Sequence, residues 1–218
     1  MPTKLVRMLV IVGIASVGEF ALKAQPGQAA NPSTTMYTAE LQPLNSNVTG
    51  LETRGEARFV VQGDKLTITI DAEGLPPNMM HLQHFHGFKD GRDAVCPTKA
   101  ADTDHDGIID LIETEPFSGT TMVPFHDDPA NMQIPSETYP KASATGTYHY
   151  QKTVSLSALQ ASFSKAFGGQ KIDLERRVVY IHGVPSATKL PASVASLGTI
   201  PAQITLPIAC GKIKRISQ

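Results

Sequence analysis

The 218-residue sequence contains no tryptophan, and aromatic residues make up only 6% of it. Lys and Arg number 19 against 20 Asp and Glu, so the chain has no excess of positive charge. Because affinity for nucleic-acid phosphates comes from clustered Lys and Arg, this balance argues against a nucleic-acid-binding protein. The sequence also lacks a phosphate-binding glycine loop, a thiolate zinc cluster and a Ser/His/Asp set, so the enzyme classes that depend on them find no support.

The first thirty residues predict an export signal. Lys4 and Arg7 precede an uncharged, mostly apolar run over 8–18, and small residues follow as far as Ala30. This order is typical of a cleaved secretory signal, and the run is shorter than the roughly 20 apolar residues of a membrane-spanning helix. We therefore expect residues 1–30 to be removed, the protein to be periplasmic or secreted, and no membrane span to remain after cleavage.

Only two cysteines are present, Cys96 and Cys210. In the oxidising compartment that an export signal implies, two cysteines usually pair. A bridge between such distant positions would stabilise the fold by about 4–5 kcal/mol through chain entropy. We therefore predict a Cys96–Cys210 disulfide.

Short alternating strands dominate the rest of the chain. Apolar residues alternate over 57–61 and over 66–70 around a turn at Gly63-Asp64, which predicts a β-hairpin. Only Ser157–Phe167 has a helical spacing. The pattern indicates one all-β domain, a sandwich or barrel. Further strands are predicted at 146–156, 177–182 and 202–209, and the long stretch 87–139 is predicted to be a functional loop.

Three of the seven histidines fall within six residues, at His81, His84 and His86. Alternate residues of a strand share a face, so His84 and His86 project together, while His81 faces away and is expected to be a hydrogen-bonding prop. A third strand-borne imidazole, His182, ends a Val-Val-Tyr-Ile-His run. Imidazoles without thiolates suit copper or zinc. We predict a metal site, the alternative for His182 being a half-buried histidine with ordinary hydrogen bonds.

Residues 102–113 match the twelve-residue calcium loop at every position, with Gly107 at the turn. His105 occupies a position whose side chain normally points outward. Flanking helices are not evident, so we expect a structural clamp that orders an insertion over about 97–140; the alternative is a solvated acidic loop. The predicted ligands are Asp102, Asp104, Asp106, the carbonyl of Ile108, Asp110 and Glu113.

Four segments, taken in order, resemble the copper/zinc superoxide dismutase family, and the resemblance spans roughly 37–213. The histidine segment follows Gly74-Leu75-Pro76-Pro77 and is similar to the family's Gly-Leu-…-His-Gly-Phe-His-Val-His. The other three resembling features are Cys96 as the loop cysteine, Val179–His182 as the last copper-ligand strand, and Ala209–Ile213 as the C-terminal Ala-Cys-Gly-Val-Ile signature.

The resemblance implies an eight-stranded Greek-key β-barrel, here with a long loop insertion, and copper on His84, His86 and His182. It also implies a fourth ligand, a histidine that bridges copper and zinc. The candidates are His105, His126 and His149; we choose His126, which would also deliver a proton to the reduced oxygen species. The family's further zinc ligands have no match here, so zinc is doubtful as a cofactor.

Another departure is Pro207, which stands where the family has an arginine that attracts superoxide. The first functional hypothesis is an exported enzyme for copper-dependent dismutation of superoxide, its small-molecule substrate, to oxygen and hydrogen peroxide. A second is a non-catalytic copper-binding or copper-buffering protein on the same fold. A third is a calcium-stabilised structural module with structural histidines. A homodimer is compatible with each of them.

Overall fold

The computed structural model describes residues 33–216. The predicted export signal over 1–30 lies outside these residues and stays a prediction. Within the described range, no helix combines the length and the apolar character that crossing a membrane requires.

Strands form most of the described regular structure, in one antiparallel sheet. Four helices accompany them in this range, of which only α2 and α3 exceed four residues. The strands are β1 (Thr34–Pro43), β2 (Arg54–Gln62), β3 (Lys65–Glu73), β4 (Gln83–Gly87), β5 (Thr120–Pro124), β6 (Tyr148–Ser155), β7 (Val178–His182), β8 (Pro207–Lys212) and β9 (Lys214–Arg215). The helices are α1 (Ser46–Thr49), α2 (Leu111–Ser118), α3 (Leu156–Ala166) and α4 (Ala202–Thr205), and 3-10 turns lie at Lys99–Ala101, Pro129–Asn131 and Leu174–Arg176.

The β2–β3 hairpin confirms the predicted alternation. Its strands pair from Gln62 with Lys65 outward, so the two-residue turn is Gly63-Asp64. Gly63 has a φ of 57°, which suits the tight hairpin turns that need a left-handed residue. Phe59 opposes Ile68 across the pair, and both are fully buried. The buried face of the hairpin therefore forms part of the main core.

The sheet runs in the order β5-β4-β7-β8-β1-β2-β3-β6, and β9 pairs with β1. It curls on itself, since Phe59 of β2 contacts Phe125, the residue that follows β5, with ring centroids 6.0 Å apart. Phe125 also packs edge-on against Phe85 of β4. One core is thus shared by strands from distant positions in the sheet, and the all-β prediction is confirmed.

Two predicted segments differ from the structure. The strand expected over 202–209 is correct only from Pro207, because 202–205 form the short helix α4 behind Pro201. Leu206 donates its N–H to the carbonyl of Ala202, which satisfies the end of that helix. The predicted loop over 87–139 contains α2 and β5, neither of which had a clear periodicity in the sequence.

The predicted disulfide is present, joining Cys96 to Cys210 across 114 positions with the Cα atoms 5.8 Å apart. It ties the beginning of the long segment after β4 to the middle of β8. Disulfides persist in oxidising compartments, so this bond indicates a non-cytoplasmic location.

Candidate metal centre

Two neighbouring strands hold the three histidines. In the β4–β7 pair, His84 lies opposite Tyr180 and His86 lies opposite Val178. Because side chains alternate along a strand, both histidines share a face with His182, two residues beyond Tyr180. The other face of β4 carries Phe85, which is fully buried in the main core.

The structure brings His84, His86 and His182 together, as their spacing predicts. The His84 ring centroid lies 4.9 Å from that of His86 and 4.6 Å from that of His182. One ring nitrogen from each residue can be chosen so that all lie within 4.8 Å of one another. The three side chains are almost completely buried. This arrangement can hold a metal ion.

Hydrogen bonds define which nitrogens are free. His86 donates from Nδ1 to the carbonyl of Gly119 at 3.1 Å, and His182 donates from Nδ1 to the carbonyl of Thr205 at 2.7 Å. Since a neutral imidazole has one N–H, both rings keep a lone pair on Nε2. The Nε2 atom of His86 lies 3.1 Å from the hydroxyl of Thr121, which can donate to it.

Two buried nitrogens in the cluster have no hydrogen-bond partner, Nδ1 of His84 and Nε2 of His182. Leaving a buried polar atom unpaired costs about 1–3 kcal/mol, so such atoms are rare unless something else satisfies them. Nε2 of His182 carries a lone pair, and Nδ1 of His84 carries one in the Nε2–H tautomer; such lone pairs bind copper or zinc. The donor set therefore fits a metal ion.

Burial also keeps the three rings neutral. Desolvation, aided by the neighbouring His182, lowers the pKa of His86 to about 3, and desolvation lowers the pKa of His182 to about 4. The pKa of His84 is likewise lowered well below its usual value by desolvation and by the two neighbouring imidazoles. Neutral imidazole is the form that binds metal, so the cluster is ready to do so at neutral pH.

Tyr180 is a site residue to which the sequence assigned no role, although its face was evident from the alternation of β7. Its ring centroid lies 4.7 Å from that of His86 and 5.5 Å from that of His182. Its hydroxyl pairs with Oγ of Ser118 at 3.0 Å. Tyr180 thus packs against two of the three imidazoles and connects them to the end of α2.

His81 behaves as the predicted prop. Its ring nitrogens lie 3.0 Å from the carbonyl oxygen of His182 and 2.9 Å from that of Pro76. It is fully buried and is not a member of the three-histidine group. Its contact with the backbone of His182 supports the end of β7.

The structure does not bring His126 into the group. Its Nε2 donates to the carbonyl of Gln133 at 2.8 Å, and its Nδ1 accepts the N–H of Asp128 at 3.0 Å. Both ring nitrogens are therefore used within its own loop, so nothing in this arrangement supports the expected fourth ligand and proton donor. The other two candidates do not complete the group either, because His105 lies in the acidic loop and the exposed His149 bonds to Asp71.

The acidic loop brings Asp102, Asp104 and Asp106 together, with one oxygen of each within 4.8 Å of the others. Gly107 has a φ of 83° and donates its N–H to Oδ2 of Asp102 at 3.0 Å, so the chain turns back over the carboxylates. Oδ1 of Asp102 is buried and has no hydrogen-bond partner. The three carboxylates can hold a cation.

The other predicted side-chain ligands of this loop, Asp110 and Glu113, are not in the three-aspartate group. They form the capping box of α2, in which Asp110 accepts the N–H of Glu113 and Glu113 accepts that of Asp110. The expectation that no helix flanks the loop is therefore wrong on its exit side. The sequence signal for α2 was present, since an acidic N-cap followed three residues later by Glu is a helix start.

Comparison with models of known protein families finds no match for this chain, and comparison with curated proteins finds none. The evidence that the histidine and aspartate groups could hold metal ions is therefore their geometry.

Proposed function

We propose that the protein is an exported copper protein of the superoxide dismutase type, which binds copper through His84, His86 and His182 and dismutates superoxide. The observation that carries the proposal is the convergence of three neutral, buried imidazoles with two unpartnered nitrogens. Imidazole ligands suit both copper and zinc, and the resemblance to the dismutase family favours copper.

The order of the strands agrees with this proposal. A curled antiparallel sheet with β4 beside β7 and a disulfide to β8 is compatible with a Greek-key barrel of the dismutase type. The disulfide and the predicted export signal favour a periplasmic or secreted protein.

The chemistry is a balanced exchange between two superoxide ions. Copper held by His84, His86 and His182 would supply one-electron redox chemistry, by which one superoxide ion is oxidised to oxygen and a second, with two protons, is reduced to hydrogen peroxide. In this chain, the carbonyl of Gly119 holds the proton on Nδ1 of His86, and the carbonyl of Thr205 does so for His182. These contacts leave a lone pair on Nε2 of both rings, and on His86 the Thr121 hydroxyl would turn away for an ion to bind there.

Calcium is the proposed occupant of the acidic loop. Hard oxygen ligands at the calcium-loop spacing favour Ca²⁺, and sites of this kind in exported proteins bind in the range of about 10⁻⁴–10⁻³ M. The buried, unpartnered Oδ1 of Asp102 supports a cation at this place. Its contribution would be structural, since the loop lies in the segment that connects β4 to β5.

A second candidate is a copper-binding protein without dismutase activity. Two observations favour it: Pro207 stands at the position of the guiding arginine, and both ring nitrogens of His126 are occupied. Electrostatic guidance raises association rates by about 10–10³-fold, so its loss would lower turnover without preventing copper binding.

The test compares His84→Ala and His182→Ala with His149→Ala, a matched control on the exposed face of β6. Loss of an outer-shell partner typically weakens metal binding by about 10–100-fold, so loss of a ligand should weaken copper binding by more than about 100-fold. Wild type and His149→Ala should bind one copper per chain and remove superoxide. Copper binding that is unchanged in the first two variants would contradict the site, whereas bound copper without superoxide removal would select the second candidate.

A further inference from the structure

The acidic loop and the histidine site are joined by one short element, α2. We propose that they are coupled through this helix, so that calcium in the loop raises the affinity of the histidine site for copper, and copper raises that of the loop for calcium. The inference rests on the proposed function, because it takes copper and calcium as the occupants. It adds a form of regulation that neither site has by itself.

The end of the loop is also the beginning of α2. Asp110 is the N-cap, and its Oδ1 accepts the N–H groups of Ile112 and Glu113 at 2.8 and 3.1 Å. Glu113 accepts the N–H of Thr103 at 2.5 Å, which ties the start of the loop to the first turn of the helix. The conformation of the loop therefore sets the position and order of that turn.

The other end of α2 lies on the histidine site. Ser118, the last helical residue, is fully buried and pairs with the hydroxyl of Tyr180, whose ring packs on His86 and His182. The carbonyl of the next residue, Gly119, accepts the ring Nδ1–H of His86. A Cβ atom at Gly119 would lie 2.2 Å from the carbonyl oxygen of Gly87, so the helix end rests directly on β4.

Between these ends, α2 has little stability of its own. It has only eight residues, and Pro116 lies inside it, while isolated helices shorter than about 12–15 residues are marginal in water. Ile112 on its outer side is 64% exposed, so packing there contributes little. Whether the helix is formed depends on its caps and on its contacts with the sheet. A structural change at one end of the helix therefore alters the other end.

The negative charge of the loop explains why a bound cation would stabilise it. Segment 102–113 contains five carboxylates and no Lys or Arg, and the ion pairs within residues 33–216 involve other acids. Asp102 also keeps one buried oxygen without a partner. A divalent cation would relieve the repulsion and satisfy that oxygen, which stabilises the loop and, through Asp110, the helix.

Thermodynamic linkage then sets the size and the symmetry of the effect. Coupling between two sites typically changes affinity by about 5–150-fold, and it must act equally in both directions. For a short helix that contacts one of three ligands directly, we expect about a tenfold change.

The experiment measures Cu(II) affinity of the full chain by competition with a chromophoric chelator, after removal of calcium on a chelating resin and again with about 1 mM calcium. Calcium affinity is measured with and without copper. Asp104→Asn weakens the loop while keeping an oxygen that can accept the N–H of Asp106, and Asp90→Asn is the matched surface control. The double variant Ser118→Ala/Tyr180→Phe removes the contact between the helix and the tyrosine without leaving a buried hydroxyl unpaired.

We expect calcium to raise copper affinity about tenfold in the wild type and in Asp90→Asn, with an equal reciprocal effect. In Asp104→Asn, the effect should disappear at that calcium concentration, and in the double variant it should fall below about threefold with both metals still bound. Equal copper affinity with and without bound calcium would overturn the coupling and leave the proposed function standing. No copper binding in any condition would overturn both, and a full effect in the double variant would overturn the route through Ser118 and Tyr180.

Discussion

The three-histidine group and the three-aspartate group of this protein, each of which could hold a metal ion, are positioned in different ways. Register in a buried sheet positions the three histidines, so their nitrogens converge without help from an ion. The three aspartates lie in a loop whose side chains mostly bond to nearby backbone N–H groups. Pairing between strands thus sets the histidine group, whereas local turns within one loop set the aspartate group.

The largest expected effect is a loss of folding stability in acid. The unfolded chain has histidines with an ordinary pKa near 6.5, whereas burial holds the pKa of His86 at about 3 and that of His182 at about 4. Below pH 6.5, these histidines take up protons in the unfolded state but remain neutral in the folded state. The free energy of unfolding of the metal-free protein therefore falls, by about 1.4 kcal/mol per pH unit for each such group.

Stability should thus be full above pH 6.5 and decline towards pH 4. Urea unfolding at a series of pH values measures the slope. Replacing His84 by Leu should remove about a quarter of it, since the pKa values of four buried imidazoles are lowered, His81 included. A slope unaffected by this substitution would mean that burying the neutral histidines does not lower the stability of the fold in acid. The contrast between the histidine site and the loop would then fail.

The next effect concerns the disulfide, which joins the segment before the acidic loop to β8. The double variant Cys96→Ser/Cys210→Ser frees the segment that contains the loop from β8, and it should lower the free energy of unfolding by about 2–5 kcal/mol. Denaturant unfolding provides the measurement, with reduced wild type as the control. If the loop is the less stable region, proteolysis should begin within 97–119 before the sheet unfolds. Cleavage that begins in β4 or β7 would show instead that the strands are less stable than the loop.

The smallest effect concerns the helix cap. Asp110→Ala removes the acceptor of two backbone N–H groups of α2 and should cost about 1 kcal/mol. Thermal unfolding in calcium measures the loss, and Asp90→Ala is the control at an exposed position. We expect the copper-binding stoichiometry to persist, because the sheet still holds the three rings. Loss of copper binding in Asp110→Ala would show that the loop is as essential to the site as the strands are.

Much of the histidine site could be predicted because its information is local. The i, i+2 spacing of His84 and His86 and the strand pattern before His182 imply a shared face, and the pairing of β4 with β7 then brings the faces together. The position of His126 could not be predicted, because its partners Gln133 and Asp128 depend on the path of a loop without periodicity. The helix α2 was missed for another reason: Pro116 and Gly119 suggested a break, while the capping box determined the structure.

The pairing of β4 with β7 has a consequence for chain length. Since faces alternate with every residue, a one-residue shift of the whole of β4 against β7 would turn Phe85 towards the site and both histidines towards the core. The segment 88–119 is held at separate points instead, by the Cys96–Cys210 disulfide, by the two hydrogen bonds between Asn45 and Ile109, and by the approach of Gly119 to Gly87. Insertions and deletions among natural variants should therefore collect in the stretches between these contacts, while the strands on either side keep their lengths.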